Sequence, residues 1–597
     1  MKKTMAMMMA AAAVAAQGVN LFWGEAGGGD ISDGGNWRLN SSSGTVANQV
    51  PVTGDNAYFR LPMTATLTTL ADFYATGIVF DTSPQDITLN PGGKEVLAAS
   101  TDFTGVDLRI VNGTFGSTGW TTFKYPSSVT AEDGGVVKIG NLGLRGGSMA
   151  SILGGGTGEV SNLYIGYIND TGCSVLISGT NALLKMVGAT THDISITHEG
   201  AGSNSLEVMD GAVIEGATGN RTVAIRIGNS AASYSNTAFI HSGALVTNVA
   251  LNIGGGIDTS LTVSNATVHC TTVAMNGPMA WTGPSSNRIV VVDKGKLIAS
   301  GDGYTVGQHV RTNGADNAIF VSGAESEFEI GTLNLGEGSW RNRLVVEDGA
   351  LFKARGTLNV GGTTLWGTDH EFIVDGATAT VGGAIAMRGT NCTVLVTGGS
   401  ALTMNGFSIN GGMNCHLYVE PGCVVTNLGS VDIGAAAGSP GSTIVIDNAK
   451  FFNSWNNNYI REGGVLEIKG ANSVFHTLNE CRIHGPGIFK IIVGRHGFVE
   501  TPVKLGAQYI DLGVALHIHA DEWVRKTGGE QTLVTVTNPA LVNNMNGHRT
   551  NAVLDSATAW LEVRQGDNYT IGGTTYRDIH LVLCAPEPSK GTTILVR

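Results

Sequence analysis

The sequence predicts an all-β protein, a right-handed parallel β-helix (β-solenoid) with an N-terminal cap and a C-terminal β cap or sandwich. Glycine supplies 86 of the 597 residues, whereas proline supplies only 14 and charged residues make up 14%. Each interior glycine costs a helix about 1 kcal/mol, so this composition disfavours helices. A short strand pattern also recurs about every 26 residues. A period of that size is typical of solenoids and propellers.

Composition also excludes several classes of protein. Hydrophobic residues make up 42% of the chain, which is ample for a core and argues against disorder. The net charge is −13 and no run of Lys or Arg occurs, so the electrostatic footprint of a nucleic-acid-binding protein is missing. The seven cysteines form no C-x-x-C pair, which removes support for zinc ribbons and thioredoxin-type chemistry.

Residues 1–16 predict a secretory signal peptide. Lys2 and Lys3 precede a short apolar stretch rich in Met and Ala, and Val14–Ala16 offers small residues to signal peptidase. About 13 apolar residues are too few to span a bilayer. No later apolar run reaches membrane-spanning length, so we expect an exported mature protein without a transmembrane segment.

Residues 17–100 predict an N-terminal β cap and the first coils. This region does not follow the repeat, yet it concentrates aromatic residues such as Trp23, Trp37 and Phe59. Solenoids need caps over their open apolar ends. We expect the aromatic residues to form one, and a surface for binding glycans around Trp23 and Trp37 is an alternative use of them.

Residues 101–500 predict the parallel β-helix repeats. Strands with alternating apolar residues end at anchors spaced 22 to 32 residues apart, and an apolar-Gly pair follows several anchors by 13 or 14 residues. We therefore expect two strands per coil at a fixed separation, with glycines at the tight corners. The anchors are Val208, Ile240, Val263, Val292, Val321, Val346, Val374, Val396, Val419, Ile446 and Ile468. The pairs are Ile253-Gly254, Val306-Gly307, Leu335-Gly336, Val360-Gly361 and Ile433-Gly434.

Two cysteines provide a test of this register. Cys392 and Cys415 each lie four residues before an anchor, so they should be direct neighbours on adjacent coils. A stacking distance of about 4.8 Å allows either two free thiols or a disulfide. Both alternatives stay open at this point.

Residues 501–597 predict a C-terminal β domain, because LHIHADEW, QTLVTVTN, WLEVRQG and DIHLVLCA read as longer amphipathic strands. The chain closes with Pro586-Glu587-Pro588 and a short apolar stretch, Thr592 to Val596.

The two repeated motifs, l-x-V-x-G-A and l-x-I-G, resemble the secreted β-helix repeat of type V autotransporter passengers and PEP-CTERM-associated proteins. The opening W…GNW…P…GD-A-F is similar to the start of such proteins. The resemblance covers about residues 20–500 and implies an exported surface or extracellular stalk of a Gram-negative-type bacterium. It departs at the C-terminal end, where the last hundred residues supply too few strands for a membrane barrel. The Pro586–Pro588 tail resembles a truncated sorting signal, with a chance tripeptide as the alternative.

The coil aspartates and one basic group are candidate catalytic residues, and each also has a structural interpretation. Glycoside hydrolysis requires two nearby carboxylates, but the chain has no Asp-Asp pair and no Gly-His-Gly. The coil aspartates lie at strand ends before turns, where Asp favours backbone hydrogen bonds. A lyase base could come from a small basic group, although a solvated face explains it as well. The aspartates are Asp210, Asp293, Asp348, Asp375 and Asp447, and the basic group is Arg482, His484, Lys490, Arg495 and His496.

Three further patterns are candidate ion sites. His517, His519 and Asp521 alternate along one predicted strand and would share a face, which could hold a divalent metal or be a polar face. Gly27–Gly34 resembles a single calcium-binding turn, with an ordinary turn as the alternative. Gly154–Gly158 lacks the Lys-Ser/Thr that a phosphate loop needs.

These observations predict a non-enzymatic exported β-helix protein, a structural stalk or adhesin-like module with no assigned catalytic, metal or cofactor site. Glycans or cell-surface and matrix components are its expected partners. A carbohydrate-active β-helix enzyme, either a polysaccharide lyase or a glycoside hydrolase, and a glycan-binding protein are the alternatives.

Overall fold

The computed structural model confirms a nearly all-β chain, with 59% strand, 3% helix and a parallel β-solenoid of about 16 turns. It describes residues 19–588 except 82–84, 188–191, 198–201, 218–222, 229–231, 276–284, 302–303, 307–315, 337, 363–366, 410, 435–439, 456, 478–481, 506–509, 511–512, 538–541 and 572–573. The predicted signal peptide and the stretch from Thr592 to Val596 lie outside these residues. No helix among the described residues is long and apolar enough to cross a membrane.

The chain divides into two compact units. The first comprises residues 1–273, 287–290 and 295–298, and the second comprises 274–286, 291–294 and 299–597. The strands of the first unit are β1 (Asn20–Trp23), β2 (Gly28–Asp30), β3 (Trp37–Leu39), β4 (Asn56–Phe59), β5 (Thr64–Thr68), β6 (Phe73–Phe80), β7 (Gln85–Asn90), β8 (Glu95–Thr104), β9 (Val106–Lys124), β10 (Ser128–Leu144), β11 (Met149–Ile152), β12 (Thr157–Ile165), β13 (Ser174–Ser178), β14 (Leu183–Met186), β15 (His192–Ile196), β16 (Ser205–Met209), β17 (Val213–Glu215), β18 (Val223–Ile227), β19 (Thr237–His241), β20 (Leu245–Ile253) and β21 (Ser260–Ser264). A 3₁₀ turn spans Gly34–Asn36.

Three strands contain the change from one unit to the other along the chain: β22 (Thr267–Met275), β23 (Arg288–Val292) and β24 (Lys296–Ala299). The remaining strands belong to the second unit: β25 (Tyr304–Val306), β26 (Ala318–Ser322), β27 (Glu327–Ile330), β28 (Leu333–Leu335), β29 (Arg343–Glu347), β30 (Leu351–Ala354), β31 (Leu358–Val360), β32 (Glu371–Asp375), β33 (Thr378–Val381), β34 (Ile385–Met387), β35 (Thr393–Thr397), β36 (Ala401–Met404), β37 (Phe407–Ile409), β38 (His416–Val419), β39 (Val424–Asn427), β40 (Val431–Ile433), β41 (Ser442–Asp447), β42 (Lys450–Asn453), β43 (Asn457–Ile460), β44 (Gly464–Lys469), β45 (Val474–Thr477), β46 (Arg482–His484), β47 (Ile488–Ile492), β48 (Val503–Leu505), β49 (Ala515–His519), β50 (Gly529–Thr537), β51 (Val553–Leu554), β52 (Trp560–Ile571) and β53 (Thr574–Ala585).

Each regular coil contains three strands, so the prediction of two per repeat was wrong. In one coil of the second unit these are β29, β30 and β31, which pair in parallel with β32, β33 and β34 of the next coil. The middle strand has only four residues with two buried side chains, which is too short for alternation to reveal it. Asp348 and Gly349 turn the chain between β29 and β30 with φ of 55° and 79°, so a compact left-handed corner separates the two strands.

The predicted anchors form continuous columns in both units. Val208 pairs with Ile240, and Ile240 with Val263, in the first unit. In the second unit the column runs through Val321, Val346, Val374, Val396, Val419, Ile446 and Ile468. The prediction that Val292 is an inward-facing anchor was wrong, because Val291 is the buried residue at this position of the strand. The run Ile289–Val292 is apolar throughout, so alternation could not determine which residues face inward.

Aromatic side chains stack inside the coils. In the first unit Phe59, Phe80, Phe103 and Phe123 form a column with successive ring centroids 4.6, 5.0 and 4.3 Å apart. In the second unit Phe352 lies between Phe328 and Phe372, at 5.8 and 5.7 Å. These columns fill the interior with large apolar side chains.

A column of fully buried residues, most of them polar, lies at the start of the first strand of successive coils. Asn342 Oδ1 accepts a hydrogen bond from the backbone N–H of Asn317, and His370 Nδ1 accepts one from the backbone N–H of Asn342, both at 3.1 Å. These side chains therefore satisfy backbone donors that a buried corner would leave unpaired. Members in the first unit are Cys173, Asn204, Asn236, Thr259 and Asn287, and those in the second are Asn317, Asn342, His370, Cys392, Cys415 and Ser442.

The C-terminal region combines coil strands with an antiparallel sheet. Strands β50 and β52 both pair antiparallel with β53, while β48 still pairs in parallel with β50. Two helices, α1 (Asp521–Lys526) and α2 (Val542–Asn551), were not predicted. Asp521 and Glu522 lie in the first turn of α1, where acidic side chains stabilise the helix dipole.

Candidate functional site

A cluster of three aromatic side chains lies on the outer surface of the first unit. Trp120 belongs to β9, Tyr164 belongs to β12, and Tyr167 follows β12. Along these coils Trp120 pairs with Asn141 of β10, and Gly143 pairs with Tyr164. Gly143 lies on the strand between them, where a β-carbon would be 3.9 Å from Cζ3 of Trp120, an ordinary van der Waals distance, so the indole extends over Gly143 towards Tyr164.

The three rings are in mutual contact. The centroids of Trp120 and Tyr164 lie 5.6 Å apart with nearly parallel planes, and Tyr167 lies 5.4 Å from Trp120 and 5.5 Å from Tyr164 in tilted orientations. Trp120 remains 44% exposed, and both tyrosines are half-buried. The cluster therefore presents apolar ring surface to solvent on the outside of the coils.

Amide side chains lie directly beside the rings. Asn162 Nδ2 donates a hydrogen bond to Asn141 Oδ1 at 2.7 Å, and Asn162 Oδ1 accepts one from the backbone N–H of Asp193 at 3.1 Å. Asn141 neighbours Trp120 on the adjacent strand. These contacts hold the two amides in place beside the indole and leave the Nδ2 donors of Asn141 without a partner among the described residues.

The charged groups around the cluster occur as opposite pairs. Arg145 contacts Asp170 at 2.8 Å, Arg226 contacts Asp193 at 3.2 Å, and Lys124 contacts Asp102 at 2.7 Å. The pKa of Tyr164 is raised, first by burial and then by the nearby charges of Asp193 and Tyr167. The tyrosine is therefore a neutral hydroxyl at physiological pH, and the surface around the rings has no net charge from these pairs.

The coil aspartates lie at turns, as their sequence context predicts. Asp210, Asp293 and Asp348 have φ of 56°, 51° and 55°, a left-handed conformation that aspartate tolerates in turns. Asp375 and Asp447 end β32 and β41. Their positions at strand ends are those of turn residues.

The predicted basic group is spread over different environments. Lys490 Nζ lies 2.9 Å from Glu467 Oε2 on the preceding coil. Arg495 and His496 are exposed in a turn that Gly497 closes by donating its N–H to Gly494 at 2.9 Å. The side chains of Arg482 and His484 lie outside the described residues. Lys490 therefore forms an ion pair between two coils.

The predicted strand through His517, His519 and Asp521 ends at His519, and Asp521 begins α1 instead. His519 Nδ1 lies 3.4 Å from Asp555. The pKa of His517 is lowered by burial and then by the charges of His519 and Lys490. Among the described residues, no group of three or more His, Cys, Asp or Glu side chains could hold a metal ion.

The glycine-rich candidates form turns and the strand ends next to them. Asp30 Oδ1 accepts hydrogen bonds from the backbone N–H and hydroxyl of Ser32, and Asp33 Oδ1 accepts one from the N–H of Gly35. These oxygens stabilise the local loop within Gly27–Gly34. Within Gly154–Gly158, the first three residues form the corner between β11 and β12, and the last two begin β12.

Trp23 and Trp37 are fully buried, with 0% of either residue exposed. Their rings meet edge to face at 5.3 Å, and Trp37 also contacts Phe59 at 5.5 Å. The alternative that these two tryptophans form a glycan-binding surface is therefore wrong. Burial of their large apolar area in the N-terminal core explains why aromatic residues concentrate there.

Cys392 and Cys415 are neighbours on adjacent coils, as the register predicts. The backbone N–H of His416 donates to the carbonyl of Cys392 at 2.9 Å, and Thr393 pairs with His416. Both cysteines are fully buried free thiols. The hydrogen bond with the Cys415 thiol, followed by burial, raises the pKa of Cys392.

Sequence reasoning did not identify the cluster of Trp120, Tyr164 and Tyr167. These residues are 44 and 3 positions apart in the chain, and only the coil register brings them together. The sequence signal that could have identified the cluster was Trp120, which lies in a strand position next to a glycine and outside the aromatic-rich N-terminal region. No protein-family model matches the chain, and a search of curated proteins finds no match either.

Proposed function

We propose that the protein is an exported, non-catalytic scaffold, a surface stalk or adhesin-like module of a Gram-negative-type cell. One observation carries this proposal: charged side chains of successive coils pair with each other across the outer surface. Examples are Lys353 with Glu327 at 2.6 Å and Arg461 with Asp432 at 2.9 Å. In these ion pairs and at the turn aspartates, the charged side chains of the coils make structural contacts.

Catalysis by a β-helix enzyme would place acid and base groups in one groove. A glycosidase needs two carboxyl groups about 5–9.5 Å apart, one of them with a raised pKa. Among the described residues, the carboxyl groups with altered pKa values shift in the opposite direction. The pKa of Asp316 is lowered mainly by a hydrogen bond from Arg341, that of Glu530 mainly by one from Arg564, and that of Glu562 mainly by one from Trp560. Lowered values favour the ionised form needed for ion pairs, which supports a structural role.

Export rests on the sequence of residues 1–16, and the resemblance to secreted β-helix repeat proteins supports a surface location. The test is to express the full chain in a Gram-negative host and to measure the intact mass and N-terminus of the protein in each cell fraction. We expect cleavage after Ala16 and a product that leaves the cytoplasm. A chain lacking residues 2–16 is the control and should stay inside. An uncleaved full chain in the cytoplasm would contradict the proposal.

The enzymatic alternative is tested on the purified exported chain. Release of reducing ends and of unsaturated products is measured on neutral and acidic polysaccharides. We expect neither signal to exceed that of heat-denatured protein. Sustained depolymerisation of any of these polymers would overturn the non-catalytic assignment.

A further inference from the structure

We propose that the cluster of Trp120, Tyr164 and Tyr167 binds an uncharged carbohydrate chain. The inference rests on the proposed function, because it names the ligand class that an adhesin-like scaffold of this kind would hold. The candidate site lies entirely within the first unit, on the outer faces of β9, β10 and β12.

The three rings are not needed to fill the interior. The same coils are filled by inward residues that include Phe123, Leu144 and Ile165, each 0% exposed. Trp120 alternates with these inward positions and so points outward. An outward tryptophan on a strand keeps a large apolar surface in contact with water, and covering that surface with a ligand is favourable.

The composition of the surface around the rings favours a carbohydrate. A pyranose ring combines an apolar C–H face with a rim of hydroxyl groups. The indole offers the apolar counterpart, and Asn141 and Asn162 offer amide donors and acceptors within the same cluster. Aromatic side chains with a few placed polar groups are the usual composition of ligand sites. A protein partner would call for more apolar surface than three rings bordered by amides.

The charges favour an uncharged chain. Arg145, Lys124 and Arg226 are each neutralised by an aspartate, so no free cation is available among them to pair with uronate or sulfate groups. The whole chain carries a net charge of −13, which repels polyanions at a distance. A neutral polysaccharide needs no free cation and is not repelled by the net negative charge.

The experiment measures binding by affinity electrophoresis and titration calorimetry with mixed-linkage β-glucan, xylan, galactomannan and polygalacturonate. The proteins compared are the purified wild type, Trp120→Ala and Trp560→Ala. Trp560 is the matched control because it is 47% exposed but belongs to β52 of the second unit. Each variant is first checked by thermal melting, where we expect at most a small shift, because about half of each residue is exposed and neither fills the interior.

We expect at least one neutral polysaccharide to bind, with an affinity that 0.5 M NaCl leaves unchanged. Trp120→Ala should weaken that binding about tenfold or more, as loss of an aromatic anchor does, whereas Trp560→Ala should bind like the wild type. Three results would each overturn the inference: no binding of any neutral polymer, equal binding by Trp120→Ala, or binding restricted to polygalacturonate. A cytoplasmic location would contradict the proposed function and leave this binding result untouched, so the two failures are distinguishable.

Discussion

Replacing His370 with asparagine should remove one buried-histidine contribution to the pH dependence of stability. His370 is 0% exposed, and its Nδ1 accepts a hydrogen bond from the backbone N–H of Asn342. Burial lowers its pKa to about 4, against smaller opposing contributions from the backbone at Ser339 and Gly336 and from Asp369. The folded protein therefore holds a neutral imidazole that the unfolded chain protonates more easily.

The sign and size follow from the two pKa values. Between the unfolded value of about 6.5 and the folded value of about 4, the unfolded state binds more protons. The contribution of His370 to stability is thus fully present above pH 6.5 and is lost as the pH falls towards 4. With about 1.4 kcal/mol per pKa unit, the loss between pH 7.5 and pH 4.5 is roughly 2.5 kcal/mol.

Asparagine is the informative substitution because the same column already contains it. At the preceding coil, Asn342 uses its Oδ1 to accept the backbone N–H of Asn317 at 3.1 Å. An asparagine at position 370 can make the equivalent bond without a titrating group. The assay is urea unfolding of wild type and His370→Asn at pH 7.5, 5.5 and 4.5. The stability difference should move by about 2.5 kcal/mol in favour of the variant at low pH. Parallel loss of stability in both proteins would refute the reasoning.

Three further predictions concern the packing of the second unit and the state of the cysteines. Phe352→Ala should lower the free energy of unfolding by about 3–5 kcal/mol, because it opens a cavity in a ring column, and urea unfolding measures the loss. Gly361→Ala should cost about 2 kcal/mol or more, since Gly361 has φ of 91° and a β-carbon would lie 2.5 Å from the backbone nitrogen of Gly389. Thiol titration of the urea-unfolded protein, isolated without reductant, should count at least six free thiols, because six cysteines including Cys392 and Cys415 are free in the structure.

The two substitutions each have a matched comparison. Leu70 is 82% exposed, so Leu70→Ala should change stability by less than about 0.5 kcal/mol. Gly27 has no atom within 4 Å of an added β-carbon, and Gly27→Ala should be similarly mild. An equal loss in Leu70→Ala and Phe352→Ala, or in the two glycine variants, would contradict the packing described. A count of five thiols or fewer would show a cross-link, with Cys392 and Cys415 as the first candidates.

The parallel solenoid and most of its register could be predicted from the sequence. Period-2 alternation identifies a strand with one buried face, and the recurring Asp-Gly corner identifies where it ends. The prediction failed where these patterns are weak. The apolar run ending at Val292 has no alternation, and β30 offers only two inward residues. The buried column through Asn342 and His370 was missed because polar residues read as surface unless their hydrogen bonds are known.

The candidate site was beyond sequence reasoning for a different reason. Trp120 and Tyr164 are 44 residues apart in the chain and come together only through the coil register, with Asn141 and Gly143 on the strand between them. The aromatic-rich region around Trp23 and Trp37 was a stronger sequence signal for a binding surface than Trp120, but its aromatic side chains form a buried core. Residue type alone did not distinguish an interior aromatic residue from an exposed one. The coil register, which places each side chain inward or outward, made that distinction.

The most direct test of the binding site is a crystal structure of the protein soaked with an oligosaccharide from the neutral polymer that binds best. We predict a pyranose ring in contact with the indole of Trp120, with hydroxyl groups within hydrogen-bond distance of Asn141 or Asn162. Oligosaccharide density elsewhere on the protein, with the surface of Trp120 unoccupied, would contradict the account.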